Sequence, residues 1–414
     1  MSSVNDIPNG WVETNLGKLG RVITGKTPSK NNPKDWGNDF DFITPSEIDN
    51  SSKYIFNTPR KLSQQGFDRF SRMILPANSV IVTCIGSDMG KVVMNKNQAL
   101  TNQQINSIAI GDEYNNDYVF YLLKNAYRIL RRNAEGSGST MPILNKSSFE
   151  SLTFVIPEDI KEQKAIANIL TAFDDKIENL QAQNRTLEQT AQTIFKEWFG
   201  KYQVGNELPD GWRIGKLGEI SKLKSGYAFK SKDFVENSSF KALKIKDLKG
   251  NGDVSISEVS SIDEECTQID RVQYFRLKQG DIVLAMSGNT TGKIGVIPPH
   301  SNEIYLNQRV GKFFLNNEKQ KSFLYNFLMS GNFEDKILSM GYGSAQPNIS
   351  PSQIESIDII FPDNEKQIEY LNISNPIYDK VLMNNSQIQS LIKTRDTLLP
   401  KLMSGKLRVN EFII

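Results

Sequence analysis

The segment Gly20-Arg21-Val22-Ile23-Thr24-Gly25-Lys26-Thr27 fits the spacing G-x-x-x-x-G-K-[ST], in which backbone amides, a lysine and a hydroxyl cradle phosphates. That chemistry needs a strand before the glycines and a helix after them. Here Pro28 follows at once, then the loop-like run Ser29 to Pro33. At the same place 201 residues later, Ser221, Tyr227 and Ala228 replace Gly20, Lys26 and Thr27. A nucleotide site here is therefore the weaker reading. The single histidine, His300, follows Pro298-Pro299 and has no Cys or His neighbour, which suits neither a metal site nor a catalytic base. Cys84 and Cys266 are too far apart for a zinc spacing and form no disulfide framework, as in a cytoplasmic chain. There is no H-E-x-x-H run and no Asn-Pro-Pro-aromatic loop. We expect no catalytic residues, no metal and no cofactor bound by this chain.

What remains suits recognition. Lys26, Lys30, Lys91, Arg128, Arg131 and Arg132 in the first half are candidates for phosphate contacts. Lys230, Lys232, Lys244, Lys246, Lys293 and Arg309 are candidates in the second. Such contacts position a protein on a duplex without specifying sequence. Thr44, Ser46, Gln103 and Gln104, with Asn289, Gln308 and Gln346, carry hydroxyl or amide groups able to read base edges. The hydroxyl-rich loop Gly136 to Thr140, with Ser137 and Ser139, can approach a backbone closely. Tyr227, Tyr342 and Ser344 complete the DNA-binding set in the second half. Taken singly, each of these residues reads more readily as a solvated charge or a turn. Their matched positions carry the expectation, because a net charge of +2 does not.

The positions match because the chain repeats. Pro8-Asn9-Gly10-Trp11 returns as Pro209-Asp210-Gly211-Trp212, Leu16-Gly17 as Leu217-Gly218, and Thr24-Gly25 as Ser225-Gly226. Gly90-Lys91 returns as Gly292-Lys293 and Asn102-Gln103 as Asn307-Gln308. Short β-branched runs, Ser79 to Cys84 and Asp281 to Met286, end in Gly and Ser and read as strands. Tyr118 to Arg132 and Phe323 to Leu338 have helical spacing, and Leu152 to Ile156 and Ile357 to Phe361 read as closing strands. Each half is thus a mixed α/β domain, and the fold class is α+β.

Each domain leads into a long helix. From Glu158 to Gly200 the apolar positions Ile166, Leu170, Phe173, Ile177, Leu180, Leu187, Ala191, Ile194 and Trp198, with Asn184 in the one polar slot, step by four and three. About forty residues at roughly 1.5 Å each make a rod of roughly 60 Å. Gly200 is the expected cap. A second helix, Asp363 to Met403, repeats the register at a shift of 204, with Ile377, Val381, Asn384, Ile388, Leu391, Arg395, Leu398 and Leu402 on its seam. The first helix is net acidic and the second net basic, which favours their pairing weakly. Phe195, Trp198 and Phe199 crowd one helix end, and Leu398, Leu399, Leu402 and Met403 the other. These clusters either dock a partner protein or close the intramolecular pair. The expected domains are residues 1–157, 158–202, 203–362 and 363–414, two globular units and two spacer helices related by a pseudo-twofold repeat.

Composition agrees with a globular chain, 38% hydrophobic and 23% charged over 414 residues. No apolar run is long enough to span a membrane, and the first ten residues lack the pattern of a signal peptide.

The repeat frame resembles the specificity subunit of a type I restriction-modification system. The residues that carry the resemblance are Gly10-Trp11 with Leu16-Gly17, Gly211-Trp212 with Leu217-Gly218, and the Gly-Ser loops. They include Ile156-Pro157 with Glu162-Gln163, answered by Phe361-Pro362 with Lys366-Gln367, and the terminal run Leu398 to Leu407. The resemblance implies two target-recognition domains separated by two long antiparallel coiled-coil helices. Together they read a bipartite site on double-stranded DNA, asymmetric because the two domains differ. It implies two methyltransferase subunits carrying S-adenosylmethionine for adenine methylation, and restriction subunits that use ATP and Mg. Base contacts do not carry over, since these domains vary within the family. A protein-assembly scaffold that reads no DNA, and an enzyme with its own nucleotide site at Gly20 to Thr27, stay open as alternatives.

Overall fold

The computed structural model describes residues 7–48, 52–55, 58–86, 89–135, 143–202, 205, 207–256, 259–340 and 348–409. The chain forms two compact units, Met1–Glu178 with Leu391–Ile414, and Asn179–Ser390. Each unit therefore takes a portion of both long helices.

In unit 1 the strands are β1 (Trp11–Asn15), β2 (Gly20–Thr24), β3 (Phe40–Ile43), β4 (Val80–Thr83), β5 (Val92–Met94), β6 (Ala99–Thr101), β7 (Ile105–Ile110) and β8 (Thr153–Pro157). The central sheet is antiparallel in the order β2-β7-β4-β5. Beside it, β3 runs parallel to β6. Residues on β4 are buried on both faces, as its run Val-Ile-Val-Thr requires. Val80 and Val82 face the helical layer, and Ile81 faces the cluster of Ile23, Ile43, Leu75 and Ile105. The helical layer is α1 (Asn116–Asn125) and α2 (Tyr127–Glu135). Asn115 caps α1 by accepting from the Tyr118 amide at 2.8 Å.

Unit 2 repeats this plan. Its strands are β9 (Arg213–Lys216), β10 (Ser221–Ser225), β11 (Phe240–Leu243), β12 (Ile282–Ala285), β13 (Ile294–Val296), β14 (Glu303–Leu306), β15 (Val310–Leu315) and β16 (Asp358–Phe361). The sheet order is β10-β15-β12-β13, with β11 parallel to β14. Ile282 and Leu284 face the helical core, to which α4 (Lys321–Leu328) contributes Phe323 and α5 (Gly331–Met340) contributes Ile337, and Val283 and Ala285 face the other cluster.

The long helices are α3 (Ile160–Phe195) and α6 (Asn364–Met403). Of the expected seam, Ile166, Leu170, Ile177, Leu180 and Ala191 are buried on α3, and Phe173, Leu187 and Ile194 are half-buried. On α6, Val381, Ile388 and Leu402 are buried, while Ile377, Leu391 and Leu398 are half-buried. Two expectations need correction. Gly200 does not cap the first helix in a left-handed conformation; α3 passes into one π-helical turn, Lys196–Gly200, that ends at Lys201. The α6 seam begins before Ile377, at the buried Tyr370 and Ser374. A tyrosine and a serine do not read as heptad apolar positions, yet the Tyr370 hydroxyl accepts from Asn326 Nδ2 at 2.8 Å and Ser374 bonds Ser322 at 2.7 Å. No helix among the described residues is long and apolar enough to cross a membrane.

The repeated Gly-Trp pairs lie where each globular part meets a helix. Trp11 Nε1 donates to Glu162 Oε1 at 3.3 Å, and Trp212 Nε1 donates to Asp363 Oδ2 at 3.2 Å. Gln163 is fully buried, donating to the Pro157 carbonyl and accepting from the Asn115 amide.

Candidate nucleic-acid interface

Strand register collects four loops at one end of each sheet. In unit 1, Thr24 at the end of β2 pairs with Asn106, and Thr83 at the end of β4 pairs with Ile105. Ile43 at the end of β3 pairs with Thr101 at the end of β6. The loops following β2, β3, β4 and β6 therefore share one rim. Unit 2 does the same through Ser225 with Gly311, Ala285 with Val310, and Leu243 with Leu306.

Backbone bonds tie these loops together in both units. Cys84 N donates to Gln104 O at 2.8 Å, and Met286 N to Arg309 O at 3.0 Å. Asn102 N donates to Ile43 O at 3.0 Å, and Asn307 N to Leu243 O at 3.1 Å. The repeated glycines Gly25 and Gly226 sit at the tightest point. A Cβ on Gly25 would lie 2.1 Å from Thr101 O, and one on Gly226 2.1 Å from Leu306 O.

Most expected site residues fall on these rims. Lys26 and Lys30 are exposed after β2; Gln103 is exposed on the β6–β7 turn, and its Oε1 accepts from Thr27 Oγ1 at 2.8 Å. Gln104 is half-buried, its Oε1 accepting from Asn102 Nδ2 at 3.0 Å. Lys91 closes the β4–β5 turn beside Gly90, against which the Tyr127 ring packs. Arg131, on α2, donates to the Tyr127 hydroxyl at 2.8 Å. Arg128 and Arg132 on the same helix are exposed. Ser46 is exposed, whereas Thr44 is buried, and both its amide and its hydroxyl bond Glu47 in a capping box. Thr44 thus holds its turn in place and offers little to a base edge in this geometry.

In unit 2, Lys230, Lys232, Lys246, Asn289, Gln308 and Arg309 are exposed, and Tyr227 and Lys293 are half-buried. Lys244 occupies the place of Thr44. Its amide donates to Asp247 at 2.8 Å, and its ammonium lies 3.6 Å from the centre of the Phe234 ring. Burial, helped by the charge of Lys246, pushes its pKa down. Ser137, Ser139, Tyr342, Ser344 and Gln346 lie outside the described residues.

The phosphate-cradle pattern has no phosphate-cradle geometry. Gly20 to Thr24 is strand β2 itself, Gly25 N donates to Ile105 O at 3.4 Å, and no helix starts after Thr27. Among the described residues no group of His, Cys, Asp and Glu could hold a metal ion. His300 bonds the Asn302 carbonyl through Nδ1 at 2.6 Å.

The aromatic and aliphatic helix ends are packed within their own units. Phe195, Phe199 and half-buried Trp198 meet Phe323, Tyr370 and Trp212 in unit 2. Leu399, Leu402 and Met403 join the core of unit 1 with Trp11 and Ile166.

The family model of the type I restriction modification DNA specificity domain matches residues 8–189 and again residues 209–394. The chain belongs to the type I restriction-modification DNA specificity family. The two matches cover most of each half, as the internal repeat requires. This specificity chain is 28% identical to the type I restriction enzyme MjaIX specificity subunit of Methanocaldococcus jannaschii over 427 residues, covering 99% of this chain and 96% of that one. It is 26% identical to the MjaVIII specificity subunit of the same organism, covering 98% and 95%. A shorter match, 34% over 179 residues, covers 42% of this chain and 38% of the HindI specificity subunit of Haemophilus influenzae. The solved type I restriction-modification S subunit from M. genitalium shares the fold, with a TM-score of 0.58 at 19% identity over 97% of this chain and 98% of that one.

Sequence reasoning missed a polar network at the end of the unit 1 sheet away from the rim, where Lys53 O accepts from Met94 N. Lys53, whose side chain is 5% exposed, meets Asp117 at 3.0 Å and Thr171 Oγ1 at 2.9 Å. Tyr121 donates to Asp174 at 2.6 Å, and Arg395 pairs with Asp174 at 2.5 Å. Arg395, the one charged residue on the α6 seam, was the signal available.

Proposed function

We propose that this chain reads an asymmetric bipartite site on duplex DNA for a type I restriction-modification complex, one half-site at each four-loop rim. The observation that carries this reading is the matched pair of rims. Their backbone bonds are the same, and their outward side chains differ. Ser46, Gln104 and Lys26 stand where Lys246, Arg309 and Tyr227 stand in the other copy. Different donor and acceptor sets on one backbone suit different base edges, with lysines and arginines around them for phosphates. The long helices act as the spacer between half-sites and offer docking surface for two methyltransferase subunits and for restriction subunits. In this reading the chain itself is non-catalytic and cytoplasmic. Adenine methylation uses S-adenosylmethionine held by the methyltransferase, and cleavage uses ATP and Mg in the restriction subunits.

The test is selection from a random duplex library by this chain with its methyltransferase, followed by sequencing. Two short, different blocks separated by a constant gap are expected. A single continuous block, or no enrichment, would overturn the reading in favour of a scaffold. Deleting seven residues from both helices should change the gap and leave both blocks intact.

A further inference from the structure

The repeat shows a cavity in unit 2 where unit 1 holds two cations. In unit 1 the Lys53 carbonyl accepts from Met94 N at 2.8 Å, and in unit 2 the same bond runs from Val296 N to the Gly252 carbonyl at 2.9 Å. Gly252 therefore stands where Lys53 stands. At the helical shift of 204, Ala191 stands for Arg395, Tyr378 for Asp174 and Tyr325 for Tyr121. A lysine and an arginine have become a glycine and an alanine. The space they would fill is a cavity of about 40 Å³ lined by Gly252, Ala191, Tyr325, Tyr378, Glu188 and Asn385.

Its lining holds one acidic side chain, Glu188, among otherwise neutral and apolar ones. Glu188 lies one turn before Ala191 and is half-buried. Neither its carboxylate nor the Tyr325 hydroxyl has a hydrogen-bond partner among the described residues. The Asn385 Oδ1 is already taken by Asn184 Nδ2 at 2.8 Å. The Tyr325 and Tyr378 rings meet edge to face with centroids 5.4 Å apart, giving the cavity aromatic walls. Burial and the nearby Asp253 push the Glu188 carboxyl up, as expected of a carboxylate that lacks its counter-ion. One carboxylate and one phenol are too few hard oxygens for calcium, which takes six to eight. A water needs about 10–15 Å³ on this measure, so there is room for about three groups of that size.

We propose that this cavity binds an organic cation with a primary ammonium or guanidinium head group, the chemistry that Lys53 and Arg395 supply from within the chain in unit 1. The cation's N–H groups would donate to Glu188 and the Tyr325 oxygen.

The test is calorimetric titration and thermal melting of the full-length chain at constant ionic strength and pH 8. The probes are methylammonium and methylguanidinium, with tetramethylammonium as an equally charged control that has no N–H. Saturable binding of either probe, weakened at least tenfold by Glu188→Gln, is expected. Ala191→Arg places a guanidinium in the cavity from the chain itself, so it should abolish binding of the probe and raise the melting midpoint without ligand. Responses equal to that of tetramethylammonium, or binding unchanged in Glu188→Gln, would overturn the proposal and leave water as the occupant.

Discussion

Arg395→Met tests whether a buried ion pair between α3 and α6, to which Tyr121 of the globular part is also bonded, holds unit 1 together. Side-chain exposure is 9% for Arg395 and 11% for Asp174, so solvent screens the pair little. Removing one member of such a pair costs about 3–5 kcal/mol, because the other charge is stranded. Asp174 keeps the Tyr121 hydroxyl at 2.6 Å, a bond to a charged acceptor. That retained bond puts the loss at the lower end, about 3 kcal/mol. The methionine replaces most of the arginine stem, so little of the loss comes from a void. The contact to Asp396, whose side chain is 55% exposed, contributes at most about 1 kcal/mol. Adding Asp174→Asn removes the stranded charge, and the double variant should recover to within about 1–2 kcal/mol of the parent. Because the chain has two units, a single global transition is not assumed. Hydrogen exchange on peptides from residues 160–178 and 391–403 reads unit 1 directly. A loss below about 0.5 kcal/mol in Arg395→Met, or equal losses in the single and double variants, would refute the stranded-charge argument.

Gly25→Ala and Gly226→Ala each force a Cβ to 2.1 Å from a carbonyl oxygen, so each should displace one rim by disturbing its β6–β7 or β14–β15 turn. Selected or methylated DNA should lose definition in one block only, a different one for each variant. Arg309→Ala should reduce the slope of log affinity against log salt by about 0.9 if Arg309 contacts one phosphate, and should blur one base position if it contacts a base edge. Trp198→Ala strips a half-buried ring from Phe199 and Tyr370, and should cost unit 2 about 2–3 kcal/mol in denaturant titration. Glu188→Gln should raise the melting midpoint at pH 7–8 but lose that advantage on acidification. The folded-state pKa of Glu188 is raised, so its ionisation opposes folding as pH climbs, and protonation relieves the cost.

The frame was legible because duplication prints each constraint twice. Gly25 and Gly226 stood out only as a repeated pair, and the structure shows each wedged against the matching carbonyl, Thr101 O and Leu306 O. The helix seam was legible where heptad positions are aliphatic, from Ile166 through Ile177 and from Val381 through Ile388. It was not legible at Tyr370 or Ser374, whose burial depends on bonds to Asn326 and Ser322 far away in sequence. Lys53 was invisible for the same reason. Its local sequence is that of a polar loop, and only the fold brings Asp117, Thr171 and the Tyr121 ring to it. Thr44 was misjudged in the opposite direction, since an exposed-looking hydroxyl is consumed by Glu47 three residues on.

On the proposed reading, the backbone bonds of the rims let such a chain change the bases it reads without refolding. Four loops are joined by backbone donors and carbonyls, such as Cys84 N to Gln104 O and its counterpart Met286 N to Arg309 O. A backbone bond is indifferent to the side chain on the same residue, so Gln104 in one copy and Arg309 in the other hold one geometry. The exposed turn residues gain little stability from their side chains, and substituting them costs little. Glycines at 25 and 226 are the opposite case, fixed by a carbonyl in contact range. Away from the rims, the two copies differ where their helices pack: unit 1 carries the charges Lys53, Asp174 and Arg395, and unit 2 carries hydroxyl and amide bonds and a cavity lined in part by Glu188. Unit 2 has Ala191 and Tyr378 in the places of the pair Arg395 and Asp174, so neither member of that pair is present there to be stranded without the other.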